Sequence, residues 1–301
     1  MMMQNARPGS AIAGMAAGSL LALAATTASA EEIVVGGKNF TEQQILTAMT
    51  AQYLDHLGYD VDSNAGMGSA VLRQAQENGQ IDLYWEYTGT SLINYNDITE
   101  TLTPEETYER VRDLDSEIGL VWLDPSEANN TYAFAMRADD AAERGIATIS
   151  DLADAINGGE TLTLASNAEF YARDDGLRPL QAAYDFEFGR PNVSRMDSGL
   201  TYPAVRDAQV DVALVFATDG RIPAFDLTVL EDDRSYFPAY ALTPVIRAET
   251  LEAHPDLADQ LNALSALLDD ATMAALNATV DVERVSIEQV AEDFLTGNDL
   301  I

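Results

Sequence analysis

From Glu32 onward the chain alternates short β-branched runs with longer stretches whose apolar residues recur every three or four positions. Residues 32–36 read as a first strand, and Gly36-Gly37 breaks it. Ile45, Leu46, Met49, Tyr53 and Leu57 then fall on one helical face, which predicts a helix from Thr41 to about His56. Thr41 stands as its N-cap, with Gln44 in the capping-box position. Further strands are predicted at 59–63 and 81–84, with a helix between them capped by Ser69. Thr103-Pro104-Glu105-Glu106 opens a long helix, with proline at the first helical position and acids in the first turn.

The pattern restarts after an extended run at 131–136. Ser150 caps a helix that stops at Gly158-Gly159, and strands follow at 162–166 and 210–217. One more extended passage, 239–247, is followed only by helical segments at 256–268, 270–280 and 286–295. Strands that alternate with amphipathic helices predict α/β blocks with mainly parallel sheets. Two such blocks without a flexible tether, then a helical tail, predict a two-lobe protein: 31–132 in the first lobe, 133–239 in the second, and 240–301 back on the first. Ligands of such folds sit at the carboxyl ends of the parallel strands.

The first thirty residues do not fit that pattern. Arg7 precedes a run of small apolar residues over 11–25, and Ala28-Ser29-Ala30 offers a small-x-small cleavage site, so 1–30 reads as an export signal peptide. The chain has no cysteine, which excludes disulfides, thiol catalysis, cysteine-ligated metals and a lipid-anchored cysteine behind the signal. The expectation is a freely diffusing, monomeric periplasmic protein.

Charge narrows the partners. Sixteen basic residues against fifty acidic ones give −34, and loss of the signal with Arg7 gives 15 − 50 = −35. Nucleic acid is a poor partner for such a chain, because phosphate binding runs on Lys and Arg. The acids are dispersed along the whole length, as in proteins that work in strong brine, where salt screens the self-repulsion of the surface. Fifteen of the sixteen basic residues are arginine; Lys38 is the only lysine.

Enzyme motifs are missing. The sequence has no G-x-S-x-G, no G-x-x-x-x-G-K and no H-E-x-x-H. His56 and His254 alone do not assemble a triad or a zinc site, and no cofactor or metal is called for. Asp82 and Glu86 are the carboxylate pair on which an acid-based periplasmic hydrolase would rest, but among fifty acids such pairs arise by chance. Gly66-Met67-Gly68-Ser69 resembles an anion-binding turn yet has Val71 in place of a third glycine, which excludes a dinucleotide site. The aromatic residues are more telling. Tyr84, Trp85 and Tyr87 follow the third strand, Tyr132 and Tyr240 sit at the two crossings, and Phe216 ends a strand. Ring faces hold a cation that has no hydrogen to donate.

Several stretches occur together and in order: Gly37-Lys38-Asn39-Phe40-Thr41-Glu42-Gln43, Gly66-Met67-Gly68-Ser69, Glu86-Tyr87-Thr88-Gly89-Thr90, Asn129-Asn130-Thr131-Tyr132, Met196-Asp197-Ser198-Gly199-Leu200 and Ala217-Thr218-Asp219-Gly220. With them the chain resembles, over essentially all of its mature length, the glycine betaine/choline/carnitine substrate-binding family of ABC osmoprotectant importers. The resemblance implies a two-lobe type II periplasmic binding protein with a hinge of two crossing segments, and a membrane permease as partner. It implies an aromatic cage of Tyr87, Tyr132, Phe216 and Tyr240, with Asn130 beside the head group. It also implies that Lys38, Thr90 and Arg173 hold the ligand carboxylate. Phe216 departs from the tyrosine common at its position, which keeps the ring face and removes a hydroxyl. The alternatives are a binding protein of the same fold for an amino acid or another zwitterion, a hydrolase, and a sensory module that signals to a membrane partner.

Overall fold

The computed structural model describes residues 32–301, so the export segment read over 1–30 lies outside the described residues. Among the described residues, ten strands form two five-stranded sheets. The first takes β1 (Ile33–Lys38), β2 (Val61–Met67), β3 (Leu83–Tyr87), β4 (Leu120–Trp122) and, from far along the chain, β10 (Leu242–Arg247), in the order β2-β1-β3-β10-β4. The second takes β5 (Tyr132–Arg137), β6 (Leu164–Ser166), β7 (Val193–Arg195), β8 (Val212–Phe216) and β9 (Leu227–Val229), in the order β7-β6-β8-β5-β9. Helices pack on both sheets, which gives two α/β lobes.

The sheets are mainly parallel, with one antiparallel strand in each. β1, β2 and β3 run parallel, as do β6, β7 and β8, but β10 is antiparallel to both β3 and β4, and β5 to both β8 and β9. The reason is topological. β5 and β10 enter their sheets directly from the crossings, so they start at the edge where the parallel strands end. Tyr132, first in β5, therefore lies opposite Phe216, last in β8. Leu242, first in β10, lies opposite Tyr87, last in β3. The two crossings are also tied together: the Tyr240 N–H donates to Asn129 Oδ1 at 2.7 Å, and the Asn130 N–H to the Tyr240 carbonyl at 3.2 Å.

Each lobe has an apolar interior. In the first, Ile33, Val35, Leu83, Ile246, Leu257 and Leu261 are buried together. In the second, Phe134 contacts the rings of Phe170 and Phe188 edge-on, at 6.0 and 6.1 Å between centroids. The tail returns to the first lobe, where Gln52 of helix Thr41–His56 donates to the Glu288 carbonyl of helix Ile287–Gly297 at 3.0 Å. Burial of one large apolar side chain contributes about 1.5–3 kcal/mol, so this docking holds the tail without any covalent staple.

Two expected caps are displaced by tertiary contacts. Phe40, not Thr41, is the N-cap of helix Thr41–His56, and the Thr41 hydroxyl instead donates to Asp281 at 3.0 Å. Gly68 precedes helix Ser69–Glu77, and Ser69 is engaged by Glu169 of the other lobe. The helix expected to be capped by Ser150 starts earlier, at Ile149, and Thr148 caps it in a capping box with Asp151. Helix Pro104–Ser116 opens with proline at its first position and acids in its first turn, as the sequence predicts, and Thr103 and Glu106 add a capping box.

Candidate functional site

A cavity of about 260 Å³ opens where the carboxyl ends of β1, β3 and β8 meet the starts of β5 and the second crossing. It is smaller than the roughly 300–1,000 Å³ of pockets for drug-sized ligands, which fits a compact metabolite. Its lining includes all eight residues nominated from the sequence: Lys38, Tyr87, Thr90, Asn130, Tyr132, Arg173, Phe216 and Tyr240. Their gathering follows from the strand polarity described above. Tyr84 and Trp85, two other rings noted near the third strand, are buried within β3, and the Trp85 indole donates to Thr50 at 2.9 Å.

The rings form a connected wall. Tyr132 lies 5.3 Å from Phe216 and 5.8 Å from Tyr240, the latter edge-on. Phe40 is a fifth ring that the sequence reading passed over. It stacks on Phe216 at 4.8 Å with the planes 18° apart, and it faces Tyr87 at 6.2 Å. Its position inside the Lys38–Gln43 motif was the available signal, masked because an aromatic just before a helix usually packs into the core.

The polar side of the cavity is built from ion pairs. Lys38 is 2% exposed and its Nζ lies 2.5 Å from Glu86 Oε1, while Tyr84 donates to the other Glu86 oxygen at 2.8 Å. Burial pulls the Lys38 ammonium below its usual range, and the Glu86 carboxylate opposes that pull. Lys38 Nζ also sits 4.9 Å from the Tyr87 ring centre. Arg173 is held by Asp175 at 2.7 and 2.6 Å, and it reaches Thr90 Oγ1 at 3.2 Å and the Tyr132 hydroxyl at 3.3 Å. Asp175 accepts the Tyr240 hydroxyl at 2.6 Å. Its carboxyl stands below the usual range: burial opposes ionisation, but the bonds and charge of Arg173 outweigh it. Arg173 therefore links both lobes and two of the rings.

Asn130 spends its amide on the protein: Nδ2 donates to Glu42 at 2.8 Å, and Oδ1 accepts the Thr218 N–H at 3.3 Å. Across the cavity, Glu169 accepts the Ser69 N–H and hydroxyl, both at 2.8 Å. A carboxylate from the second lobe thus occupies the N-terminus of a first-lobe helix, where the helix dipole favours it. Residues 168–173 supply Glu169 and Arg173 together. The two carboxylates of the hydrolase alternative do not share a site, since Asp82 binds the Val34 N–H and the Thr250 hydroxyl, both at 2.8 Å, and Glu86 is taken by Lys38 and Tyr84.

Residues 31–297 match the family described as the substrate binding domain of ABC-type glycine betaine transport systems. The chain belongs to this family. Its members are substrate-binding components of importers and not enzymes. A glycine-betaine-binding protein from Pseudomonas aeruginosa is 48% identical over 284 residues, covering 92% of this chain and 91% of its own length. The glycine betaine-binding protein YehZ of Escherichia coli is 34% identical over 291 residues, covering 93% and 95% of the two chains. Its apo structure superposes with a TM-score of 0.66 over 90% of this chain and 100% of its own. A solved glycine betaine/carnitine/choline ABC transporter protein, 28% identical, reaches a TM-score of 0.71 over 89% and 99%. The fold is the two-lobe type II arrangement of periplasmic binding proteins.

Proposed function

We propose that this substrate-binding protein holds a small quaternary-ammonium solute of the glycine betaine type in the cavity between its lobes and hands it to a membrane permease. The observation that carries the reading is the wall of Tyr87, Tyr132, Phe216 and Tyr240, extended by Phe40, around a cavity whose polar side presents Lys38, Thr90 and Arg173. Trimethylammonium has no N–H, so ring faces suit it better than acceptors would, and each desolvated face contributes up to about 2 kcal/mol. Three such faces approach the roughly 8 kcal/mol of a micromolar complex. Among the described residues the Lys38 ammonium makes one hydrogen bond, to Glu86, and has two further N–H groups to give a ligand carboxylate. The names of the relatives from Pseudomonas aeruginosa and Escherichia coli support the ligand class.

The lobes divide at 132/133 and 239/240, and the paired crossings act as the hinge. Glu169 on Ser69 and Arg173 on Thr90 are contacts that an opened cleft would break, so they latch the closed form. The export signal at 1–30 sends the protein to the periplasm, where it works as a monomer, and the dispersed acid of the surface suits a salty medium.

A second reading has specific support. Glu86 already neutralises Lys38, and Asp175 already neutralises Arg173, so neither cation nominated for a ligand carboxylate is without an anion. That balance favours a cation without a carboxylate, such as choline. Calorimetric titration with glycine betaine, choline and proline separates the readings. Saturable one-to-one binding of betaine, weakened by Tyr87→Ala and by Lys38→Ala, is the expected result. Choline binding without betaine binding keeps the cage and removes the carboxylate role. Proline alone binding, or no ligand at all from folded protein, overturns the proposal.

A further inference from the structure

Among the buried charged side chains of the described residues, one is left over. Glu86 is paired with Lys38, Asp175 with Arg173, Asp219 with Arg221 and Asp115 with Arg73. Glu42 is buried as deeply as these, at 2% exposure, yet no ion pair joins it to a basic side chain among the described residues. Four neutral groups surround it instead. Tyr87 and Asn130 give hydrogen bonds to Oε1 at 2.7 and 2.8 Å, and Thr218 and Asn277 to Oε2 at 2.5 and 3.2 Å.

The directions of three of these bonds are fixed by further partners. Gln43 donates to the Tyr87 oxygen at 3.1 Å, so the phenolic hydrogen points to Glu42. Asn130 Oδ1 takes the Thr218 N–H at 3.3 Å, which leaves its Nδ2 facing Glu42. Asn277 Nδ2 is shared between Glu42 and the Thr218 carbonyl at 3.0 Å. Three of the four groups therefore donate, and the Thr218 hydroxyl is free to turn its hydrogen to the carboxylate as the fourth. Burial pushes the Glu42 carboxyl above its usual range, while the four bonds pull it back. The surroundings are arranged for an anion, and no counter-cation is supplied.

Two of the four donors, Tyr87 and Asn130, also line the ligand cavity. We propose that Glu42 is the fixed counter-charge of the ligand's cationic head group, acting through the wall of the cavity as the residue that makes the site select a permanent cation over a neutral group of the same shape. The inference rests on the aromatic-cage reading given above. Glu42 polarises Tyr87 through its hydroxyl, and its field reaches the head group across a water-poor interior, where charges are weakly screened. A purely structural hub would need only polar groups at this point, which neutral side chains supply without the cost of a buried charge.

The test compares each cation with its carbon isostere: glycine betaine with 3,3-dimethylbutanoate, and choline with 3,3-dimethylbutan-1-ol. In the wild-type protein each cation is expected to bind at least tenfold more tightly than its isostere. Glu42→Gln should shrink that ratio about tenfold, with isostere affinity altered less than twofold, and Glu42→Asp should largely restore the ratio. Equal weakening of cation and isostere in Glu42→Gln reduces Glu42 to a packing role and overturns the proposal, as does an unchanged ratio. Wild-type protein that binds no quaternary ammonium sinks the cage reading and this inference with it, which is a separate outcome. If Glu42→Gln does not fold, the choline pair is followed against pH in wild type, since neither of those probes titrates there. The ratio should fall as acid protonates Glu42, and a ratio independent of pH down to the acid limit of folding overturns the proposal. The other charged groups near Glu42 are Asp219 and Arg221 on the turn after β8, Asp281 on the helix that holds Asn277, and the Lys38–Glu86 pair. The same titration in Glu42→Asp shows whether the midpoint follows residue 42 or those groups.

Discussion

Phe216 offers the cleanest test of the aromatic wall, because it has no hydroxyl and its ring is only half-buried at the end of β8. Phe216→Leu keeps an apolar side chain of similar reach and removes the ring face alone. The two ring neighbours, Phe40 stacked at 4.8 Å and Tyr132 tilted at 5.3 Å, lose about 0.5–1.5 kcal/mol each at most, so the apo protein should melt only a few degrees lower. The binding loss is set by the cation–π contact, which runs from about 0.5–1 kcal/mol when exposed to about 2 kcal/mol when desolvated. A half-buried ring that a ligand covers falls between these limits. About 1.4 kcal/mol, or tenfold in Kd, is expected for glycine betaine by calorimetry. Phe216→Tyr restores the face and should lie within about threefold of the wild type. A Phe216→Leu protein that is folded and binds as tightly as wild type would refute the assignment of this ring to the cage. A loss equal in both variants would refute it as well, because the ring face would then be irrelevant.

Other expectations follow from single residues. Asp115 accepts hydrogen bonds from Arg73, Ser91, Asn96 and Trp122 at 2.7–3.3 Å, and Asp115→Asn leaves the buried Arg73 guanidinium with only the more exposed Glu77 as its anion. A loss of about 3–5 kcal/mol in chemical denaturation, with ligand affinity little changed, is expected. The same carboxyl sets a pH dependence: burial opposes its ionisation, but Arg73 with Trp122 and Asn96 holds it below the usual value. Its contribution is therefore complete above the unfolded value near 3.9 and is lost as pH falls through the lower folded value, and Asp115→Asn should flatten that part of the acid-melting curve. Gly89→Ala would put a Cβ 2.7 Å from the Ala239 carbonyl and 2.9 Å from the Tyr240 ring. It should cost about 1–3 kcal/mol and weaken betaine binding by shifting Tyr240, and unchanged affinity would show that Tyr240 is not held by this contact. Between 0.1 and 1 M NaCl the screening length drops from about 10 to 3 Å, so a surface of this charge should gain melting temperature with salt. A flat or falling curve would remove the salt-adaptation reading.

Much of this protein was legible in the order of its residues. The strand–helix alternation, the restart near residue 131 and the helical tail are short-range patterns, and they yield two α/β lobes before any contact is known. The chain crosses at Tyr132 and Tyr240 and ends strands at Tyr87 and Phe216, so the convergence of those rings is a consequence of topology that the sequence already carries. What the sequence could not decide is which charge faces which. Lys38 stood out as the single lysine, but its partner Glu86 is 48 residues away, and nothing local joins them. Ser69 and Thr41 were read as caps because their own neighbours favour it, whereas Glu169 and Asp281 claim them from 100 and 240 residues off. Glu42 looked like one acid among fifty and became distinctive only when the fold closed four donors around it and no cation. Propensity and periodicity act over a few residues. The energy of a buried charge depends on every group within several ångströms, and only the tertiary structure decides which groups those are.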